Sequence, residues 1–303
     1  MRFGIRDALQ QVEFAVPAGQ ICGLVGPNGS GKTTLLRILA TLLPPLRGEA
    51  RVAGFGIHQE AAEIRRRIGY MPDTFGGYEE MRVETYLEFF AHLYRLSEDG
   101  TAGVVKDILG LVDLLPFSET PVRLLSLGTR QRLSLGRVLL HNPEVLLLDE
   151  PVNGLDPSSR RQVREILREL GRMGKTVLVS SHNLADLGEV AQRLVVLEKG
   201  KSIFSGTLEE LKREVLPQGI LELEVEGDRE KAQEFLLALP GVTAVTAVQG
   251  EAFQVLLRDG ELTPARISRL LVQAGFALNR LCLREVNLEE AYLRITGLGL
   301  RED

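Results

Sequence analysis

The chain has 303 residues, of which 44% are hydrophobic and 25% charged, enough to bury a core in two domains and unlike a disordered, collagen-like or disulfide-scaffold chain. Thirty-six basic against 41 acidic residues leave a net charge of -5, with no Lys/Arg-rich block to track phosphates on nucleic acid or an anionic bilayer. Cys22 and Cys282 stand far apart in apolar runs, which reads as reduced, buried thiols in a cytosolic protein with no metal-ligand spacing.

Val12, Phe14 and Val16 alternate as a half-buried strand, and Ile21 to Val25 reads as a short buried strand ending at Gly26. A helical pattern runs from Thr33 through Leu43 until Pro44-Pro45 stops it. Ile68 to Met71 is a strand, and Val83 to Tyr94, with Tyr86, Phe89, Phe90 and Leu93, has helical spacing suited to a core or a partner-facing surface. A helix follows from Gly128 to Leu140, then the apolar strand Val145 to Leu148. Asp156-Pro157 caps a helix through Leu170. Strand Thr176 to Ser180, a helix from about Leu184 and strand Leu194 to Leu197 complete an alternation that predicts a largely parallel sheet covered on both faces. The stretch Phe14 to Gly31 is uncharged but broken by five glycines and two prolines. No run reaches the roughly 18 to 20 apolar residues of a membrane span, and no signal peptide is present.

After Gly206 the rhythm changes. Thr207 and Glu210 form a capping box, and Pro217-Gln218-Gly219 marks a boundary, giving domains 1–217 and 218–303. The second is acidic, with 11 Lys+Arg against 17 Asp+Glu from residue 208 onward. Its order is βαββαβ, the pattern of a small ferredoxin-like sandwich: strands at Leu221 to Val225, Val242 to Val248, Phe253 to Leu257 and Phe276 to Leu283, with helices after Asp228 and Thr263-Pro264. Asn287 with Glu290 caps a final helix.

Gly26-Pro27-Asn28-Gly29-Ser30-Gly31-Lys32-Thr33, followed by Thr34, fits G-x-x-x-x-G-K-[ST] between a predicted strand and a predicted helix. Glycines let successive backbone N–H groups wrap a polyphosphate, the helix N-terminus favours its charge, Lys32 neutralises β/γ oxygens, and Thr33 offers a hydroxyl to Mg²⁺. Val145 to Leu148 then delivers Asp149 and Glu150 at a strand's C-terminal edge. Asp149 suits the Mg²⁺ shell, and Glu150 suits a base that orients and deprotonates water.

At these residues the chain resembles the nucleotide-binding subunit of ATP-binding cassette (ABC) transporters, over roughly residues 3 to 210. Leu125-Ser126-Leu127-Gly128-Thr129 stands at the signature loop, Gly154-Leu155-Asp156 at the D-loop, and His182 at the switch histidine. The resemblance implies a P-loop cassette fold with a helical insert and Mg-dependent ATP hydrolysis. It implies a homodimer or paired cassette in which Ser126 and Gly128 reach the γ-phosphate of ATP held by a second subunit, while His182 reaches its own. Phe3 aligns with the adenine-stacking aromatic. A separate transmembrane permease would dock near the Asp73 loop and the Val83 to Tyr94 helix, holding the subunit at the cytoplasmic face of the membrane. The tail, including Asn287 to Arg294, resembles that of the ABC-2 type export group.

Three departures stand out. Leu127 and Thr129 replace the family's Gly and Gln. Asp73 occupies the position of the Q-loop glutamine, still an oxygen donor for Mg²⁺ but a charged one. Met1 comes two residues ahead of Phe3 where the family has a strand, so an edge strand is missing or the start lies upstream. The rival readings are a soluble ABC ATPase acting on ribosomes or DNA, whose basic linker or long coiled coils are missing here, and a non-hydrolysing nucleotide sensor, against which Asp149-Glu150 argues.

Overall fold

The computed structural model describes residues 2–3, 6–215, 220–247, 252–257, 262–284 and 288–296, and the chain divides into two units, Met1–Leu208 and Glu209–Asp303. The first opens on a two-residue hairpin, β1 (Arg2–Phe3) and β2 (Arg6–Asp7). β3 (Ile21–Val25) is buried at every position, as a strand with no polar face must be. After it come α1 (Lys32–Leu39), the short hairpin β4 (Arg51–Val52) and β5 (Phe55–Gly56), α2 (Ala61–Arg67) and β6 (Ile68–Met71). α3 (Val83–Leu93), α4 (Glu98–Leu111) and α5 (Leu127–Leu139) pack on one another. The unit ends with β7 (Val145–Leu148), α6 (Pro157–Arg172), β8 (Thr176–Ser181), α7 (Leu184–Gly188), β9 (Arg193–Glu198) and β10 (Lys201–Thr207).

The sheet has the order β10-β9-β3-β8-β7-β6. All neighbours are parallel except β10, which runs antiparallel to β9. Because β8 lies between β3 and β7, the C-terminal ends of three strands meet: Val25 pairs with Ser181, and Leu148 with Val179. Loops leaving those ends share one crevice, the usual place for a ligand in an open parallel sheet. Leu24, Leu36, Ile64, Leu147, Val195 and Leu197 belong to one core cluster, which fixes α1, and with it the loop before it, against the sheet.

Two expectations are corrected. Val12, Phe14 and Val16 are half-buried as their alternation predicts, but residues 11–16 form no strand. Among the described residues no strand pairs with them. An open groove of about 1180 Å³ runs between this segment, α1 and the β4–β5 hairpin, and the backbone leans instead on one side chain, Ser202, whose Oγ receives the Glu13 N–H at 3.0 Å. The predicted helix to Leu43 stops at Leu39, where Ala40 caps it and Thr41 turns to a φ of 59°. The structure adds α2, α4, β10 and the β4–β5 hairpin to the elements expected from the sequence pattern.

α8 (Leu208–Val215) begins directly after Thr207. In the second unit β11 (Ile220–Glu226), α9 (Arg229–Leu237), β12 (Val242–Ala247), β13 (Ala252–Leu257), α10 (Pro264–Gln273) and β14 (Ala277–Arg284) follow the βαββαβ order, and α11 (Leu288–Ile295) comes last. The sheet is antiparallel throughout, in the order β12-β13-β11-β14. Leu221, Leu223 and Val225 bury one face with Phe253, Leu236 and Leu271. The intervening glutamates keep to polar partners: Glu222 accepts from Gln254 at 3.1 Å, and Glu224 lies 3.7 Å from Arg280. Asp228 and Thr263 cap their helices as predicted. Val248 and Asn287 lie outside the described residues. Among the described residues no helix is long and apolar enough to cross a membrane.

Candidate functional site

The crevice at the ends of β3, β7 and β8 is built first from backbone. After Val25 the chain passes through Gly26, where a Cβ would come within 2.3 Å of the Leu197 carbonyl oxygen, and reaches Gly31 at a φ of 109° as the N-cap of α1. No side chain caps that helix. Its first N–H groups are left for an outside acceptor, and the helix dipole favours an anion there. Pro27, Asn28 and Gly29 form the exposed outer arc of the loop, Ser30 is buried beneath it, and Thr33 and Thr34 are half-buried on the first turn.

Lys32 is buried and folds back over the loop, its Nζ donating to the Gly26 carbonyl at 2.7 Å and standing 3.3 Å from Glu150 Oε1. Glu150 Oε2 in turn accepts from His182 Nδ1 at 2.8 Å. The Glu150 carboxylate therefore joins the loop lysine to a histidine from the end of β8. With its Nδ1 proton committed to Glu150, the imidazole keeps Nε2 on the far side of the ring. Glu150 has a φ of 49°. Consecutive side chains of an extended strand point to opposite faces, and this left-handed turn at a non-glycine residue brings Glu150 to Lys32 while its neighbour keeps to the strand. Such backbone strain is held only where the surroundings enforce it.

Asp149 is fully buried. Ser180 Oγ donates to Asp149 Oδ1 at 2.7 Å and accepts the Glu150 N–H at 2.8 Å, so one hydroxyl ties both acidic residues to β8. In the sequence Ser180 stands only as the expected strand end; the signal for its role is a small hydroxyl residue two positions before His182. Burial pushes the Asp149 carboxyl above the ordinary aspartate range, against the hydroxyls of Ser180 and Thr33, with the nearby charges of Asp73 and Glu150 adding to the rise. Asp73 itself is exposed on the loop after β6. Among the described residues Asp149 Oδ2 and Ser30 Oγ are buried and find no hydrogen-bond partner. Buried polar atoms are seldom left so, and an unpaired carboxylate oxygen with a threonine hydroxyl and a second carboxylate at hand suits a hard divalent cation.

A second group of residues gathers at the start of α5. Ser126 caps the helix. Gly128 is buried where a Cβ would meet Ser159 Oγ at 2.4 Å, and Asp156 caps α6 by accepting the Ser158 and Ser159 N–H groups and the Ser159 hydroxyl. Those hydrogen bonds, the Ser159 hydroxyl first, hold the Asp156 carboxyl below its ordinary range. Among the described residues no hydrogen bond or ion pair joins this group to Lys32, Glu150 or His182. The structure thus assembles one half-site around the loop and a separate one around Ser126. Phe3 lies in β1, and its side chain lies outside what is described. Tyr86 is fully buried, stacked on Phe75 and tilted against Phe90, while Tyr78, Leu93 and Tyr94 remain 51%, 62% and 41% exposed.

Residues 9–153 match the family model described as ABC transporter. Over 296 residues the chain is 35% identical to the daunorubicin resistance ATP-binding protein DrrA3 of Streptomyces coeruleorubidus, across 98% of this chain and 93% of that protein. It is 32% identical over 301 residues to the Nod factor export ATP-binding protein I of Burkholderia lata, covering 99% and 96% of the two chains. Among solved structures it is similar to the dimeric post-hydrolysis state of the ATP-binding cassette MJ0796 bound to ADP and Pi. That match has a TM-score of 0.62 at 25% identity, over 68% of this chain and 94% of the other. An ATP-binding subunit of an ABC transporter gives a TM-score of 0.63 at 29% identity, over 70% and 88%.

Proposed function

The chain belongs to the ABC transporter family as an ATP-binding subunit and ATPase, and from that premise we propose that it powers export of a solute through a separate transmembrane permease. The observation that carries this reading is the convergence of Lys32, Glu150 and His182 beside the unpaired Asp149 oxygen at the ends of β3, β7 and β8. Export is supported by the relatives named above, which are drug-resistance and Nod factor export ATP-binding proteins and which this chain matches through its C-terminal unit as well.

In this reading residues 26–34 wrap the β- and γ-phosphates, and Lys32 leaves Glu150 for the γ-phosphate. Mg²⁺ would be held by Thr33 and Asp149, with Asp73 nearby, and would supply positive charge to the phosphate oxygens. Glu150, released from Lys32, orients the attacking water and takes its proton. His182 holds the Glu150 carboxylate from one side and contacts the γ-phosphate from the other. Ser126 and Gly128 of a second copy close over the same γ-phosphate, so the two half-sites become whole only between subunits, with Asp156 nearby. ATP binds the closed pair better than the open one, and hydrolysis removes that preference. The permease docks where Tyr78, Leu93 and Tyr94 remain open, near Asp73, at the cytoplasmic face of the membrane.

The test is ATP turnover by the wild-type chain and by Glu150→Gln. The variant is expected to lose turnover by about 10²- to 10⁴-fold, to keep binding ATP, and to accumulate as a dimer in ATP. A variant that stays monomeric in saturating magnesium ATP, alone and with its permease, overturns the reading.

A further inference from the structure

Ser126 Oγ accepts the Thr129 N–H at 3.2 Å, the ordinary bond of a helix cap, and lies 2.8 Å from Thr129 Oγ1. The cap is exposed and the threonine is 7% exposed. A hydroxyl has two lone pairs and one proton. When Thr129 donates its hydroxyl proton to Ser126 Oγ, Thr129 fills both lone pairs of Ser126, and the only bonding capacity left on the serine is its proton, facing out of the helix end. When the bond runs the other way, that proton is spent inside the turn. An anionic acceptor selects the first arrangement, because a charge-assisted hydrogen bond is roughly twice as strong as a neutral one. Donation into the serine oxygen also polarises its own O–H and strengthens it as a donor.

We propose that Thr129 is a positioning residue for ATP-driven closure: its hydroxyl aims the Ser126 proton at the γ-phosphate held by the opposite subunit. The inference rests on the reading of Ser126 given above and deepens it. The helix start is held still for this purpose. Gly128 is seated against Ser159 with no room for a Cβ, and Asp156 fixes Ser159 in place through its hydroxyl at 2.6 Å. The backbone between Ser126 and Thr129 is thus seated through Gly128, and loss of the Thr129 hydroxyl removes the group that orients Ser126.

Full-length Thr129→Val, Thr129→Ala, Thr129→Ser and Ser126→Ala are compared with wild type in two measurements. The first is the ATP concentration that half-converts monomer to dimer in the Glu150→Gln background, followed by sedimentation. The second is kcat and KM for ATP hydrolysis. Thr129→Val and Thr129→Ala are expected to raise the ATP needed for dimerisation and to lower kcat by about tenfold each, the scale of one hydrogen bond to a charged group. Binding of ADP to the monomer and the melting temperature stay near wild type. Thr129→Ser, which keeps the hydroxyl, recovers to within about twofold. If Ser126→Ala is impaired while Thr129→Val and Thr129→Ala match wild type, the positioning role is wrong and the reading of Ser126 survives. A Thr129→Ser variant as impaired as Thr129→Val shows that the methyl matters and not the hydroxyl, which also overturns the proposal. If Ser126→Ala itself closes normally, the underlying reading fails and takes the proposal with it.

Discussion

Glu150 Oε1 lies 3.3 Å from Lys32 Nζ, both side chains buried. In the proposed function the base is thus held by the cation that would meet the phosphate, so nucleotide would draw Lys32 away before Glu150 acted on water. A buried pair gains little net stability over its desolvation, yet removing one partner leaves the other's charge buried and uncompensated.

Binding should report this competition directly. Glu150→Gln is expected to bind ADP several-fold more tightly than wild type, because Lys32 no longer leaves a full negative charge. ADP avoids both hydrolysis and ATP-driven pairing, and titration calorimetry on the monomer reads the difference. Equal or weaker ADP binding by the variant would show that the contact does not restrain Lys32.

Ser180 joins Asp149 Oδ1 to the Glu150 N–H. Ser180→Ala leaves a buried acceptor and a buried donor unpaired, at about 1–3 kcal/mol per unsatisfied group. The denaturation midpoint should fall accordingly, and hydrolysis should slow more than ATP binding weakens, since Glu150 loses the bond that fixes its turn. A midpoint unchanged in urea would mean that water replaces the hydroxyl at no cost.

Asp149 gives a pH signature. Its carboxyl is raised in the folded chain, so the folded state binds this proton more readily than the unfolded state. Stability from this site grows as pH falls from the folded value toward the ordinary aspartate value, and is lost as pH rises through the folded value. At neutral pH the buried charge is a cost. Asp149→Asn is therefore expected to melt higher than wild type without nucleotide, with a flatter pH dependence in that window, while ATP turnover disappears. A lower melting temperature at neutral pH would contradict this account.

Burial pushes the Cys22 thiol up to about 12, and the side chain is 1% exposed in β3. Cys282, on β14, is partly accessible. A disulfide reagent at mildly alkaline pH should modify Cys282 in the native chain and Cys22 only on unfolding, because the thiolate is the reactive form. Modification of Cys22 at the rate of Cys282 in native protein, followed by mass spectrometry of peptides, would refute the placement of β3.

The Gly26–Thr33 loop, the acidic pair and the βαββαβ tail are legible from the amino-acid order alone, since each depends on near neighbours: glycines where backbone must approach closely, an apolar run ending in two carboxylates, alternation of period two. The half-buried alternation of Val12, Phe14 and Val16 was equally legible, but whether it becomes a strand was not, because a ladder needs a second backbone supplied from elsewhere. The same holds for the site. That Lys32 meets Glu150, and that Ser180 ties the Asp149 carboxylate to the Glu150 backbone N–H, are consequences of β8 lying between β3 and β7. Strand order is a property of the whole fold, fixed by long-range pairing and burial, and no local spacing records it.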